Sequence, residues 1–180
     1  MLSTTALVER VVSVGTVTGR YTLPNGGTLT SYFDEYRVAA DPDLLFQTGL
    51  ALAALLPPDV DVVAGLELGG VPFALAVSAA TGLPAALIRK TVKPYGTCLQ
   101  VEGQPAPGAR VAMVDDVIRS GRQILIAAAA LRHAGSLPTT AIAILIRHGE
   151  AKSLLAGQGI TVKAVVDETA TKPSPSPRRS

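Results

Sequence analysis

The fold is decided by one stretch, Val111-Ala112-Met113-Val114-Asp115-Asp116-Val117-Ile118-Arg119-Ser120-Gly121. Its apolar start, Arg110–Val114, predicts a strand of the kind that is buried on both faces. Two adjacent acids and a short Ser-Gly loop follow. The alanine-rich segment Gln123–Ala134 then predicts a helix that Gly135 closes. A buried strand that passes through a tight loop into a helix is the repeating unit of a parallel α/β sheet.

The same alternation of strand and helix extends to both sides of this stretch. The predicted elements are a helix Asp43–Leu56, a strand Val60–Leu66, a helix Val71–Ala80, a strand Pro84–Ile88, a strand Thr140–Ile146, a helix Glu150–Ala156 and a strand Thr161–Val166. Asp41 is the expected N-cap of the first helix, with Pro42 in its first turn. We therefore expect an α/β fold with a mostly parallel sheet that is flanked by helices.

The first 40 residues follow a different pattern, which predicts a small N-terminal flap or hood. A helix is expected at Thr5–Val12, capped by Thr4 or Thr5, and two strands at Val14–Leu23 and Leu29–Tyr36. The turn Pro24-Asn25-Gly26-Gly27 joins these strands. The predicted organisation is thus a hood at residues 1–40, an α/β core at 41–168 and a disordered tail at 169–180.

Composition limits the classes of protein that this chain can belong to. It has 180 residues, of which 48% are hydrophobic and 17% charged, so a disordered chain or a coiled coil is excluded. Aromatic residues make up 4% and Trp is absent, which disfavours a stacking surface for single-stranded nucleic acid. The net charge of +2 becomes −1 without Lys172, Arg178 and Arg179. We expect no nucleic-acid partner.

Cysteine usage and hydropathy indicate a cytoplasmic protein without a membrane partner. Cys98 is the only cysteine, so no internal disulfide is possible, and one Cys with two His cannot form a structural zinc site. The uncharged stretch Leu68–Ile88 is long enough to span a bilayer, but Pro72, Gly82 and Pro84 divide it. Charged residues near the N-terminus argue against a signal peptide.

Charged residues follow four of the predicted strands at the point where each strand ends. They are Glu67, Arg89-Lys90, Asp115-Asp116 and Arg147-His148. Open parallel sheets bind their ligands at the carboxyl ends of the strands. The sequence therefore predicts a polar ligand site at this edge of the sheet.

The acid pair Asp115-Asp116 suits a phosphorylated sugar. Carboxylates accept hydrogen bonds from vicinal hydroxyls, and loop amides at a helix N-terminus bind phosphate. The alternative is that Asp116 or Ser120 only caps the following helix. Glu67 has the alternative of an exposed strand-end acid, and Lys90 and Lys93 that of solvated loop charges. No P-loop, dinucleotide fingerprint or zinc-protease motif is present.

Residues 111–121 resemble the phosphoribosyl diphosphate (PRPP) signature of the type I phosphoribosyltransferases. From about Val14 to Val166 the chain is similar to the orotate phosphoribosyltransferase branch of that family. Three further stretches carry the resemblance: a pyrophosphate loop at Gly65-Leu66-Glu67-Leu68-Gly69-Gly70-Val71-Pro72, a mobile catalytic loop from Arg89-Lys90-Thr91-Val92-Lys93-Pro94-Tyr95-Gly96 to Glu102-Gly103, and a flap over the base at Tyr32-Phe33-Asp34-Glu35-Tyr36.

The resemblance implies transfer of the phosphoribosyl group from PRPP to orotate, with release of pyrophosphate, in pyrimidine synthesis. It implies Mg²⁺ as cofactor, carried on PRPP without a direct protein ligand, and a homodimer that shares the catalytic loop. Arg89, Lys90 and Lys93 would be catalytic, and Arg119 and Arg147 would bind the base. The implied PRPP-binding residues are Arg89, Lys90, Lys93, Tyr95, Asp115, Asp116, Val117, Ile118, Arg119, Ser120, Gly121, Arg122 and Gln123.

Some residues differ from the family pattern and keep two alternatives open. Arg119 replaces a threonine near the base, Arg122 and Gln123 replace small residues of the phosphate loop, and the flap lacks a basic residue around Gly26–Thr30. One alternative is a related transferase for another base. The other is a non-catalytic PRPP-sensing regulator, which the intact Arg-Lys-x-x-Lys loop disfavours.

Overall fold

The computed structural model describes residues 2–22 and 26–169. In chain order they form α1 (Thr4–Gly15), β1 (Thr16–Thr22), β2 (Thr28–Phe33), α2 (Glu35–Ala40), α3 (Pro42–Ala53), β3 (Val62–Leu66), α4 (Gly70–Thr81), β4 (Ala85–Ile88), β5 (Val101–Glu102), β6 (Arg110–Ile118), α5 (Arg122–His133), β7 (Leu137–Ile146), α6 (Gly149–Ala156) and β8 (Thr161–Asp167). No helix in this part of the chain is long and apolar enough to cross a bilayer.

The core is a six-stranded sheet with the order β5-β4-β3-β6-β7-β8. All neighbours in it are parallel except the short edge strand β5, which runs antiparallel to β4. One apolar cluster lies under α5 and α6, and a second lies under α1, α3 and α4. The predicted α/β class with a mostly parallel, helix-flanked sheet is confirmed.

The helix ends follow the predicted capping chemistry. The Asp41 carboxylate accepts a hydrogen bond from Leu44 N at 3.0 Å and caps α3. Gly82 ends α4 in a left-handed conformation, with φ 76°, which only glycine adopts without strain. These local signals determine where α3 begins and where α4 ends.

The N-terminal segment differs from its prediction in two places. Helix α1 is capped by Ser3 rather than by Thr4 or Thr5, and it continues to Gly15. The second strand ends at Phe33 instead of Tyr36, because Asp34 caps a new helix by accepting from Tyr36 N at 3.1 Å. The turn predicted at Pro24-Asn25-Gly26-Gly27 includes residues outside the described part, and the tail predicted at 169–180 lies outside it from residue 170 on.

Strand β6 is longer than predicted, and this changes the setting of the acid pair. The predicted strand Arg110–Val114 continues to Ile118, because Asp115 pairs with Ala143 and Ile118 with Ile146 of β7. Both acids are therefore held within the strand rather than in the loop after it. Strand β5 was not predicted; it forms where Leu87 pairs with Glu102.

Candidate active site

A polar cleft opens at the carboxyl ends of β3, β4 and β6, where the sequence predicts the ligand site. Its volume is about 240 Å³. The residues that line it are Glu35, Tyr36, Leu66, Glu67, Leu68, Gly69, Ile88, Arg89, Lys90, Asp115, Asp116, Val117, Gln123, Ile126 and Ala127. Helix α2 contributes Glu35 and Tyr36, and the segment from β3 to α5 contributes the rest.

The acid pair lies at the centre of the cleft. The carboxylate of Asp116 accepts a hydrogen bond from Val117 N at 2.6 Å. Burial raises the pKa of Asp115 well above its usual value, and the charge and hydrogen bonding of Asp116 raise it further. Two half-buried carboxyl groups on one strand end thus present oxygens to the cleft, and burial favours the neutral form of Asp115.

Two glycines bring the loop after β3 against this acid pair. A Cβ on Gly69 would lie 2.2 Å from Asp116 Oδ2, and one on Gly70 would lie 2.1 Å from the Val114 carbonyl oxygen. No residue other than glycine fits at either position unless a neighbouring group moves. In the same loop, Glu67 is exposed, as the alternative interpretation of a strand-end acid expects, and it also accepts a hydrogen bond from Lys90 N at 2.9 Å.

Two helix N-termini begin at this edge without a side-chain cap. Gly69 precedes α4 and Gly121 precedes α5, and neither of these N-cap residues has a side chain that accepts a hydrogen bond. Asp116 does not cap α5, whereas Ser120 Oγ accepts one long hydrogen bond, of 3.5 Å, from Arg122 N in its first turn. A second hollow of about 190 Å³ lies at the start of α5 and is lined by the loop that contains Arg119, Ser120 and Gly121. Uncapped helix N-termini attract anions, and phosphate groups above all.

The basic loop after β4 is held by one acid. Glu102 of β5 contacts Arg89 at 3.2 Å and Lys93 at 3.7 Å. The hydrogen bond from Arg89 lowers the pKa of Glu102, and the charge of Lys93 lowers it further. Lys93 also lies 5.1 Å from the ring centre of Tyr95. Arg89 and Lys90 line the cleft, whereas Lys93 and Tyr95 do not.

Arg119 and Arg147 lie beside the cleft rather than in it. Arg119 lines the hollow at the start of α5. Arg147 N donates to the Ile118 carbonyl at 3.1 Å, and its side chain lines a small cavity with Phe33 and Glu168. Its Nε atom is buried and has no hydrogen-bond partner.

Glu35 is the main site residue that sequence reasoning missed. It is 8% exposed, and burial, followed by the charge of Asp116, raises its pKa to about 7. The sequence places Glu35 in the predicted flap, where the two adjacent acids Asp34 and Glu35 could have indicated a polar contact with the site. Because the pattern predicted a strand through Tyr36, Glu35 was not assigned a direction toward the cleft.

Comparison with known proteins gives one consistent result. The chain is 40% identical over 160 residues to the orotate phosphoribosyltransferase of a Nocardioides species, which covers 89% of each chain. It is 35% identical over 148 residues to that of Halobacterium salinarum, covering 82% of this chain and 84% of the relative. No family model matches. The chain belongs to the orotate phosphoribosyltransferase family.

A solved structure supports the same assignment of family and fold. The Mycobacterium tuberculosis orotate phosphoribosyltransferase in complex with PRPP superposes with a TM-score of 0.77 at 26% identity. The match covers 92% of this chain and 96% of that one. The predicted resemblance to the orotate phosphoribosyltransferase family is therefore confirmed, and the two alternatives find no support among these relatives.

Proposed function

We propose that this chain catalyses the transfer of the phosphoribosyl group from PRPP to orotate, giving orotidine 5′-phosphate and pyrophosphate. The observation that carries the proposal is the acid pair of β6 placed between two uncapped helix N-termini. A molecule that fits this arrangement has vicinal hydroxyls with a phosphate on either side, as PRPP has. The named relatives support the same reaction.

The acid pair and the phosphate loop would bind the two ends of the ribose 5-phosphate. Asp115 and Asp116 accept hydrogen bonds from the ribose hydroxyls, and the amides of residues 119–123 hold the 5′-phosphate at the start of α5. Arg119, Ser120, Gly121 and Gln123 line that hollow together with Val117 and Ile118. Arg122 is exposed in the first turn of α5, where its charge attracts the phosphate.

Pyrophosphate would leave on the side of Gly69, where Arg89 and Lys90 line the cleft. Negative charge grows on the leaving group as the bond to ribose C1 breaks, so a positioned cation stabilises the transition state more than the substrate. We propose that Arg89 and Lys93 exchange Glu102 for pyrophosphate when the loop closes. Their shared contact with Glu102 keeps both cations together beforehand.

The base would bind between the hood and the end of β7. Orotate carries a carboxylate, and a guanidinium holds a carboxylate through two parallel hydrogen bonds. Arg147 has a buried Nε atom without a partner, and Arg119 adds positive charge nearby, enough to affect the pKa of Tyr32 in the hood. Both arginines favour an anionic base over a neutral one.

Mg²⁺ belongs to the substrate in this proposal. Among the described residues no group of three or more His, Cys, Asp or Glu side chains is arranged to hold a metal. The oxygens of PRPP are the hard ligands that Mg²⁺ prefers. When bound there, the metal neutralises the diphosphate, while the ribose position is set by Asp115 and Asp116.

We further propose that the protein is cytoplasmic and forms a homodimer. Within each copy, residues 1–40 would act as a hood over the core of residues 41–168. Helices α3 and α4 pack together through Gly49 and Ala76. They leave Phe46 and Leu75 exposed by 57% and 50%, an apolar surface suited to a second copy. Light scattering of Phe46→Glu and Leu75→Glu variants tests the interface, and unchanged dimers would exclude it.

The proposed location is supported by Cys98, which is an exposed free thiol and is consistent with a reducing compartment.

An activity screen with PRPP, Mg²⁺ and orotate, uracil, hypoxanthine or adenine tests the function. We expect pyrophosphate to be released with orotate and with none of the other three bases. Turnover of a neutral base without turnover of orotate would contradict the substrate assignment while leaving the fold intact. The double variant Asp115→Asn/Asp116→Asn should lose at least about tenfold in PRPP affinity, since charge-assisted hydrogen bonds contribute about 1.5–3 kcal/mol. Asp59→Asn, at the opposite end of the same sheet, is the control.

A further inference from the structure

Glu35 is a buried acid that the proposed mechanism does not use. It is 8% exposed, and in the described part of the chain no other Asp, Glu, Lys or Arg residue is buried to that degree. Its backbone belongs to the first turn of α2 in the hood, yet its side chain lines the cleft of the core. It is therefore the charged group that connects the hood to the acid pair.

Glu35 and Asp116 line the same cleft, and after burial the charge and hydrogen bonding of Asp116 contribute to the raised pKa of Glu35. Two ionised carboxylates are acceptors only, so a hydrogen bond between these two groups requires a proton on one of them. A contact of this kind lies where the ribose hydroxyls would bind. Bringing a sugar hydroxyl to Asp116 requires this contact to break.

The charged and titratable groups around Glu35 come from several elements. Burial is the largest cause of its raised pKa of about 7, and the negative charges of Asp116 and Asp34 act in the same direction. Arg10 of α1, which packs against α2, is paired with Asp41 and Asp43 of α3. Tyr32 of β2, Tyr36 of α2 and Asp115 of β6 also interact with the charge of Glu35, and Arg119 of the phosphate loop acts on Tyr32.

We propose that Glu35 occupies the ribose-hydroxyl acceptor Asp116 in the ligand-free enzyme, and that PRPP binding displaces it with release of a proton. The hydrogen bond between the two carboxyl groups breaks, a ribose hydroxyl donates to the ionised Asp116, and the shared proton passes to the solvent. Glu35 is then a positioning residue that couples the hood to substrate binding. This inference rests on the proposed function, because it needs PRPP at the acid pair.

The proposal predicts a pH dependence of PRPP binding with a definite sign. Below about pH 7 the pair keeps its proton and PRPP must displace the bond, whereas above it Glu35 is ionised and repelled from Asp116. PRPP affinity should therefore rise by about five- to tenfold from pH 6 to pH 8, as the fraction of open pairs increases. PRPP and Mg²⁺ add their own pH dependence, which is the same for every variant.

Substitutions at Glu35 give opposite effects if it occupies Asp116. Glu35→Gln keeps a donor to Asp116 at every pH. Its PRPP affinity should therefore be lower than that of wild type at pH 8, and it should not rise between pH 6 and pH 8 as the wild-type affinity does. Glu35→Ala removes the contact, so PRPP affinity should exceed that of wild type at pH 6. A purely structural role for Glu35 would weaken binding in both variants.

Titration calorimetry of Mg²⁺-PRPP binding at pH 7, in two buffers of different ionisation enthalpy, measures the released protons. With a pKa of about 7 in the free enzyme, wild type should release about half a proton more than Glu35→Gln. Asp34→Asn is a graded comparison: asparagine keeps the cap on Tyr36 N, but removing a charge that raises the pKa of Glu35 should lower the proton release without abolishing it.

The outcomes separate this inference from the function on which it rests. Equal proton release in wild type and Glu35→Gln, or loss of affinity in both Gln and Ala variants, would overturn the role of Glu35. Circular dichroism identifies a variant that does not fold, and the pH dependence of the wild-type PRPP affinity then decides: no rise from pH 6 to pH 8 overturns the proposal. Wild-type protein that does not bind PRPP at all refutes the proposed function instead.

Discussion

Gly69→Ala should weaken PRPP binding by moving one carboxylate while leaving the fold intact. The new Cβ would lie 2.2 Å from Asp116 Oδ2 and 2.7 Å from Asp116 Cγ. Since non-bonded carbon and oxygen atoms need more than 3 Å, the carboxylate must move by roughly 1 Å. The backbone of Gly69 has φ −60° and ψ −37°, which alanine adopts without strain. The cost therefore falls on the Asp116 side chain.

A shift of this size removes the hydrogen bond between Asp116 and a ribose hydroxyl. A charge-assisted hydrogen bond contributes about 1.5–3 kcal/mol, which corresponds to an affinity loss of about 10- to 150-fold. Thermal unfolding should change little, because the displaced atoms belong to the free end of a side chain. Calorimetry with Mg²⁺-PRPP measures the affinity, and scanning calorimetry measures the stability.

Two other glycines provide the comparison. Gly70→Ala places a Cβ 2.1 Å from the Val114 carbonyl oxygen of β6, so it should reduce stability by several kcal/mol, about the upper range for overpacking. Gly157→Ala meets no atom closer than 3.5 Å and should change neither property. If Gly69→Ala is folded and binds PRPP as wild type does, Asp116 is not the acceptor of the ribose hydroxyls.

Three further predictions follow from the loop, the base and the hood. Lys93→Ala should lower kcat by roughly 10²–10³-fold with a smaller change in KM for PRPP, because Lys93 is proposed to meet charge that develops on pyrophosphate. An unchanged kcat with a higher KM would mean that Lys93 only binds the ground state. Lys163→Ala is the control. Arg147→Ala should lower kcat/KM for orotate by about 1.5–3 kcal/mol without changing PRPP affinity in calorimetry; equal losses for orotate and PRPP would contradict a role at the base. In denaturant titrations, the stability of the ligand-free protein should fall between pH 4.5 and 7, because the folded state holds the Glu35 proton that the unfolded chain releases. Glu35→Gln should reduce that fall by on the order of 1–3 kcal/mol; an identical fall would contradict the raised pKa.

The elements of the core are predictable because their signals are local. Apolar runs such as Val62–Leu66 are buried along their whole length, and the helices between them begin and end at Asp, Pro and Gly residues that act within one turn. The sheet order follows from that alternation only in part. Asp34 shows the limit within the hood: β propensity continued to Tyr36, but the carboxylate of Asp34 caps a helix there.

The parts that sequence missed depend on partners distant in the chain. Asp115 to Ile118 continue β6 because β7 provides paired residues up to Ile146, and two residues of β5 form a strand only beside Leu87 and Ile88. The direction of Glu35 is set in the same way, since its side chain becomes buried only when the hood packs on the core. Residue types at the site were therefore predictable, whereas their mutual contacts were not.

Two acids of the ligand-free site lie against groups that the proposed function assigns to substrate binding, and this affects what binding costs. Glu102 holds Arg89 and Lys93 at 3.2 Å and 3.7 Å, and Glu35 lines the cleft together with Asp116. In the proposed mechanism each acid occupies the place of one part of the substrate: Glu102 that of the pyrophosphate, and Glu35 that of the ribose hydroxyls. Binding then exchanges one set of partners for another, so the measured affinity is the difference between two sets of similar contacts. An exchange of this kind keeps the cations of the loop and the acids of β6 positioned without leaving buried charges unpaired. On the proposed mechanism PRPP would act on two elements at once, because it would separate Glu35 from the acid pair of β6 and the loop cations from Glu102 of β5.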